Sequence, residues 1–501
     1  MFVNDLNKFY TRFDHHDFHQ QRELIQATLN STAPDPITIS EDEVRQVLRR
    51  INPSKAAGPD CLTGRVLKLC GNELSSPVSR LFQSTMNMFK IPLTWKKAKI
   101  VPLPKKPQPT VMNDYRPVAL TPILMKCLER IVLSKLLPQV KSQIDPLQFA
   151  YQAKRGVEDA TLTLVHNLQQ HLDGVGNSTR VLFVDFSSAF NTMQPHLLIN
   201  KLRSLNVNSG LTLWIHDFLT KRQQQVCIGD TWSKTLVTNT GAPQGCVLSP
   251  VLFTLYTNDC RSTSNRCDVI KYADDTAILG RLNKTPESVN RYRECIQNFV
   301  VWCADNFLEL NVTKTQEMVF DFSKSPSAVA PVNINGADVE VTAEYKYLGT
   351  VIDHKLSWSP NINRIYSKCQ QRLYFLRKLR QFNVDRTLIN LFYKSVIESV
   401  ICFCVVVYYG NSRVIDNNKV AKITKQASRI IGSPCKSPEE LFESCSRRMV
   451  TSIMSDSTHP LHHNYTMLRS GRRLMSLKCR TTRFLSSFVP RSIRYFNDQY
   501  K

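Results

Sequence analysis

Val269-Ile270-Lys271-Tyr272-Ala273-Asp274-Asp275-Thr276-Ala277-Ile278-Leu279 decides how this chain is read. Two apolar arms of strand length flank adjacent carboxylates, which predicts a β-hairpin with an acidic tip. Asp is also common in ordinary polar turns. Against that plain reading, like charges in a packed hairpin repel unless a cation compensates them. Upstream, Arg180-Val181-Leu182-Phe183-Val184-Asp185-Phe186-Ser187-Ser188-Ala189-Phe190 is an apolar run that ends on one carboxylate and enters an apparent helix. A strand-end Asp often only caps the helix that follows. With this strand beside the hairpin, however, Asp185, Asp274 and Asp275 converge, and such a set of oxygen ligands suits two Mg²⁺ ions. Between the acidic segments, Thr240-Gly241-Ala242-Pro243-Gln244-Gly245-Cys246-Val247-Leu248-Ser249-Pro250 has the composition of a tight loop where backbone can approach a ligand.

The chain has 501 residues, 42% hydrophobic and 21% charged, which excludes a disordered or fibrous protein and suggests two to four structural units. Its formal charge is +24. Residues 355–501 hold 26 basic and 8 acidic side chains, so most of that excess lies there. Basic residues alternate with aromatics in Arg372-Leu373-Tyr374-Phe375-Leu376-Arg377-Lys378 and Arg491-Ser492-Ile493-Arg494-Tyr495-Phe496. The pattern is either a solvated surface or, as the footprint favours, a face for nucleic-acid phosphates.

Fifteen cysteines without a Cys-x-x-Cys pair argue against a disulfide framework and for a reducing compartment. Cys435, Cys445, His459, His462 and His463 lack the close pairing of zinc ligands and read as isolated thiols and histidines. The N-terminus has no basic-then-apolar signal layout. The apolar stretch Val400–Tyr409 is about half the roughly 20 residues a membrane span needs. The expectation is a soluble intracellular protein, nuclear and cytoplasmic, neither secreted nor membrane-bound.

Residues 1–50 read as a helical extension, with Ser40-Glu41-Asp42-Glu43 as a capping-box helix start. A proline-dense patch from Pro92 to Pro117 favours extended segments and turns. Helical patterns are expected over 121–140 and 157–173, and strands at Val181–Phe186, Val226–Gly229, Val269–Leu279 and Met318–Phe322. Mostly helical periodicity follows Trp358 to about residue 430, and then an Arg-rich tail begins.

The acidic strand, the Pro-Gln-Gly loop and Tyr272-Ala273-Asp274-Asp275, in this order, resemble motifs A, B and C of reverse transcriptases. Lys55-Ala56-Ala57-Gly58-Pro59-Asp60, Ile100-Val101-Pro102-Leu103-Pro104-Lys105-Lys106 and Asn113-Asp114-Tyr115-Arg116-Pro117-Val118 resemble their fingers motifs. Leu310-Asn311-Val312-Thr313-Lys314-Thr315 and Tyr347-Leu348-Gly349 resemble later palm motifs. The ensemble is similar to the LINE-type, jockey-like polymerases of non-LTR retrotransposons, strongly over about residues 40–360. Two departures stand out: family members often have Asp where this chain has Asn191, and full-length relatives carry an apurinic-type endonuclease, for which the residues before 40 leave no room.

The resemblance implies an α+β right-hand polymerase. Residues 51–354 would form fingers and palm, 355–430 a helical thumb, and 431–501 a basic C-terminal region. It implies an RNA template, a DNA primer or target, deoxynucleoside triphosphates, two Mg²⁺ ions (or Mn²⁺), and a ribonucleoprotein with the element's own RNA. Asp185, Asp274 and Asp275 would be the metal ligands. One ion would activate the primer 3′-hydroxyl and the other neutralise the leaving pyrophosphate. Phe190 falls at the position that screens the sugar, with a core aromatic as its plain alternative. Gln244 and Gly245 would line the nucleotide pocket. Lys105 and Arg116 match triphosphate-holding positions, with Lys106 able to replace Lys105; each could equally be a surface charge. Lys314 corresponds to a proton donor to pyrophosphate, or is a solvated lysine. A domesticated, inactive RNA-binding scaffold is the rival from another class, opposed by the intact Asp185, Asp274 and Asp275. A viral RNA-dependent RNA polymerase is opposed by Phe190 and Ala273, and a group II intron maturase fits the finger and thumb motifs less well.

Overall fold

The computed structural model describes residues 2–14, 18–30, 36–283, 285–323 and 330–498. The chain folds as two compact units that exchange segments along the sequence. The first comprises 1–145, 186–260 and 302–309, and the second 146–185, 261–301 and 310–501. Both mix helix and sheet, so the α+β class holds. Each unit draws on residues far apart in the chain because strand pairing joins them.

In the first unit β1 (Ala98–Pro104) pairs antiparallel with β2 (Tyr115–Leu120) and parallel with β4 (Arg222–Ile228). The short strands β5 (Thr231–Trp232) and β6 (Leu236–Thr238) add to β4. The proline-dense patch therefore forms extended chain, as its lost N–H donors and fixed φ angles demand. The helix Phe2–Tyr10 buries Val3, Leu6 and Tyr10 in a cluster with Ala98, Ile100, Ala119 and Val226. Ser40 caps the helix Glu41–Arg49 with the reciprocal Glu43 bond that its sequence predicts.

In the second unit β3 (Ser178–Val184) lies between β8 (Asp275–Leu282) and β9 (Gln316–Phe320), antiparallel to both. β7 (Cys267–Tyr272) forms one edge of this sheet, and the short strand Glu340–Val341 the other. Val181, Phe183, Ala277, Leu279 and Met318 join one hydrophobic core with the helix Val157–Leu172. The same core takes in Ile362, Leu373, Val420 and Ile423 of the long helices Ser359–Gln381 and Val414–Ile431. It also takes in Leu441, Phe442 and Ile453 of Pro438–Met454, and Phe488, Val489 and Ile493 of Phe488–Asp498. The Arg-rich tail thus contributes packing as well as charge. Arg386–Asn411 is apolar and long enough by composition to cross a membrane. Its helix is interrupted by a π-helical turn at Tyr393–Glu398 and by Cys404 at φ 53°, and Ile389, Ile397, Ile401 and Val405 sit in the core.

Candidate active site

The last β3–β8 pair is Val184 with Thr276, so continuing the register sets Asp185 opposite Asp275. Asp275 also pairs with Tyr272 across the β7–β8 hairpin, whose two-residue turn is Ala273-Asp274. Three carboxylates thus come to one end of one sheet. Ala273 enters the turn at φ 57°, a conformation that disfavours any Cβ-bearing residue. Such local strain is characteristic of functional turns.

Asp185 is held through its backbone: its N–H donates to Thr315 Oγ1 (3.3 Å) and its carbonyl accepts from Asn311 N–H (2.8 Å). Its carboxylate lies 3.9 Å from Lys314 Nζ, and both side chains reach solvent. Loss of water around the site, and then the negative charges of Asp274 and Asp185, push the Asp275 carboxyl up to about 6. Burial, followed by Asp275 and Asp185, pushes the nearby Tyr345 phenol up to about 12; its ring stacks on Phe183 at 4.0 Å. The excess of negative charge is what a divalent cation would relieve. Among the described residues no three acid, His or Cys side chains close into a metal cage. An ion that keeps waters and shares its shell with substrate phosphates does not require one.

The Pro-Gln-Gly loop belongs to the first unit and is fixed mainly through its backbone. Gly241 N–H donates to Met193 O (2.7 Å), Ala242 N–H to Phe190 O (2.8 Å), and Ala119 N–H to Gln244 O (2.8 Å). Gly245 has φ 120°, and a Cβ there would stand 2.7 Å from Ala119 O. That is the close approach its glycine permits. Gln244 Nε2 donates to Asn191 Oδ1 at 3.5 Å, so the position that departs from the family touches the loop. Phe190 is half-buried and stacks on Phe253, ring centroids 4.5 Å apart. Lys105 Nζ donates to Asn113 O (2.7 Å), Lys106 pairs with Asp114 (2.8 Å), and Arg116 is exposed on β2. A pocket in this unit is lined by Tyr10, Asn191, Arg222, Gln224, Gly241 and Gln244, among others.

Two supporting residues lie outside the motifs legible in the sequence. Buried Glu129 accepts from Val247 N–H (2.6 Å) and Leu248 N–H (3.0 Å), just ahead of the helix Ser249–Tyr256; burial raises its carboxyl pKa. A single carboxylate in the largely apolar helix Ile123–Val140 was the available signal. Gln148 braces the acidic turn, and nothing in its local sequence marks it.

A family profile described as reverse transcriptase (RNA-dependent DNA polymerase) matches residues 103–352. A second, described as the N-terminal part of alkylated DNA repair protein alkB homolog 8, matches only 358–399, within the helical segment. The chain is 24% identical over 454 residues to the RNA-directed DNA polymerase from mobile element jockey of Drosophila melanogaster, covering 87% of this chain and 48% of that protein. It is 25% identical over 427 residues to the jockey polymerase of Drosophila funebris (82% and 46%). It is 26% identical over 392 residues to the probable RNA-directed DNA polymerase from transposon BS of Drosophila melanogaster (74% and 43%). The chain belongs to the reverse transcriptases, in the jockey-like LINE group of non-LTR retrotransposons. It spans about half the length of the curated relatives it matches.

Proposed function

We propose that the chain is an RNA-directed DNA polymerase of a non-LTR retrotransposon, copying an RNA template onto a DNA primer or target from deoxynucleoside triphosphates. The observation that carries this reading is Asp185 opposite Asp275 at the end of the sheet, with Asp274 on the adjoining turn. In it the chain is a right-hand polymerase: residues 1–50 are an N-terminal helical extension, 51–354 are fingers and palm, 355–430 the helical thumb, and 431–501 a basic region that meets phosphates. Asp185, Asp274 and Asp275 hold divalent ions, taken to be Mg²⁺ with Mn²⁺ as substitute, and their mutual repulsion supports that role. A cation bound there makes the primer hydroxyl more acidic and offsets charge on the leaving pyrophosphate.

Lys314, beside Asp185, supplies a proton to the leaving group. Phe190 occupies space beside the sugar C2′ and excludes a hydroxyl there. Gln244 offers its side-chain amide and Gly245 its backbone to the nucleotide. Lys105 and Arg116 attract the triphosphate. The protein acts inside the cell, in nucleus and cytoplasm, as a ribonucleoprotein with its element RNA.

Extension of a labelled oligo(dT) primer on poly(rA), with and without Mg²⁺, tests the reading. Cation-dependent incorporation of dTTP is expected. RNA binding without extension at any Mg²⁺ or Mn²⁺ concentration would instead make the chain a binding scaffold.

A further inference from the structure

The acidic turn is braced from outside its own hairpin. The segment Leu147-Gln148-Phe149 runs along β7 as an added edge: Phe149 N–H donates to Lys271 O (2.9 Å) and Lys271 N–H to Leu147 O (2.8 Å). Between these bonds the Gln148 side chain is completely buried. Its Oε1 accepts from Ala150 N–H (3.1 Å) and from Ala273 N–H (3.2 Å). Ala273 is the residue at φ 57° that presents Asp274. Two residues after Phe149 the chain turns at Tyr151, φ 60°, whose phenol pKa is raised first by burial and then by the charge of Asp274. One short segment therefore packs against the acidic turn on the inside with Gln148 and reaches its charge on the outside with Tyr151.

A residue serving only as filler here would be apolar. Gln148 instead leaves its Nε2 buried without a partner among the described residues, and an unmet buried donor carries a desolvation penalty. That penalty is tolerable where the other end of the amide does something no apolar side chain can do. What the amide oxygen does here is accept from Ala150 N–H and Ala273 N–H, and the second of these bonds opposes relaxation of a strained turn.

We infer that Gln148 is a positioning residue for Asp274: its side-chain carbonyl locks the Ala273 turn so that the carboxylate is preset at the end of the sheet. The inference rests on the polymerase reading for its catalytic consequence, though not for the brace itself.

The full-length chain and its Gln148→Met and Gln148→Glu variants separate the two. Met keeps the length and loses the acceptor; Glu keeps an acceptor oxygen. Hydrogen exchange of the peptide containing Ala273, measured on protein without nucleic acid, reads the brace directly. For Gln148→Met we expect at least tenfold faster exchange at the turn with protection of β3 and β8 retained. We also expect kcat on primed poly(rA) to fall at least tenfold while KM for dTTP stays within twofold. Gln148→Glu keeps turn protection and a kcat within about threefold of the parent. Unchanged exchange and kcat in Gln148→Met overturn the inference, as does equal loss of both in Gln148→Glu. Should Gln148→Met unfold globally, retained turn protection in Gln148→Glu supports the brace and its loss overturns it. Faster turn exchange in Gln148→Met, with no extension by any form including the parent, supports the brace and refutes the polymerase reading.

Discussion

Arg155 and Asp456, 301 positions apart, form an ion pair at 3.1 Å in which the guanidinium is 2% exposed. The same guanidinium donates to Thr458 Oγ1 (2.6 Å) and to Pro146 O (2.9 Å). The C-terminal region is thereby tied to the stretch that carries Gln148. A chain ending at Ser433 loses this pair and also Leu441, Phe442, Ile453, Leu461, Val489 and Ile493 from the core. At about 1.5–3 kcal/mol for each buried apolar side chain, the loss rivals the whole stability of a domain, about 5–15 kcal/mol. Truncation should therefore leave aggregated protein, or protein without a cooperative melt. A truncated chain with a parental melting temperature would contradict this.

The contribution of tail charge is better tested at exposed positions. Arg469, Arg472 and Arg473 all face solvent. Changing the three to Ala should leave the melt unchanged and weaken RNA binding. The slope of log affinity against log salt should fall by about 0.7 for each single-strand phosphate that the protein no longer neutralises. An unchanged slope would remove this patch from the RNA face.

Asp274 is exposed on its turn and its charge repels Asp275, so Asp274→Asn should not lower the melting temperature. A neutral amide is the poorer ligand for a hard cation. Nucleotide incorporation should be abolished, with the Kd for primer–template held within about twofold. Measurable extension by this variant at ordinary Mg²⁺ would remove Asp274 from the ligand set.

Asp275 gives the site a pH signature. Its folded pKa, about 6, lies above the usual carboxyl value near 4. Its protonated form therefore favours the folded state; that contribution is full below about pH 4 and is lost as pH rises through about 6. Without divalent ions, Asp275→Asn should melt higher than the parent at pH 7.5, the gap closing as pH falls from 6 to 4. Mg²⁺ or Mn²⁺ should raise the parent's melting temperature more than the variant's. A pH-independent gap would mean that neither burial nor the neighbouring carboxylates raise the Asp275 carboxyl.

Gly245→Ala would set a Cβ 2.7 Å from Ala119 O at a φ of 120°. Relief requires a backbone shift, which breaks the Ala119–Gln244 hydrogen bond of 2.8 Å. Strain of this kind costs about 1–3 kcal/mol. The melting temperature should fall, and KM for dNTP should rise more than kcat changes. Steady-state kinetics beside a melt check both.

Phe190→Ala removes a ring stacked on Phe253 and opens the space it fills. The ratio of kcat/KM for deoxy- over ribonucleotides should then drop, since pocket sterics act through the transition state. A ratio unchanged beside a lowered melting temperature would make the ring a packing residue alone.

The hairpin around Asp274-Asp275 and the strand before Asp185 were legible because each signal is local. Period-two or continuous apolar runs set strand length, and the adjacent carboxylates mark where the runs break. The strands found at 178–184, 267–272, 275–282 and 316–320 begin or end within a few residues of those expected. Ser40 and Glu43 formed their cap for the same reason: both partners lie within one helical turn. The order of acidic strand, Pro-Gln-Gly loop and acidic hairpin likewise sufficed to name the family.

Only the tertiary structure decided which strand faces Asp275, because register is set by partners distant in sequence. β3 pairs with β8 and β9, both far downstream in the chain, and the β8 pairing sets Asp185 against Asp275. The braces at Gln148 and Glu129, the tie between Arg155 and Asp456, and the burial of Phe488 and Ile493 beside arginines are of the same kind. An amide, a carboxylate or an amphipathic helix looks alike in sequence whether it meets water or a backbone N–H from another part of the chain. Its environment is supplied by the fold, and with it the difference between a surface residue and one that holds the site.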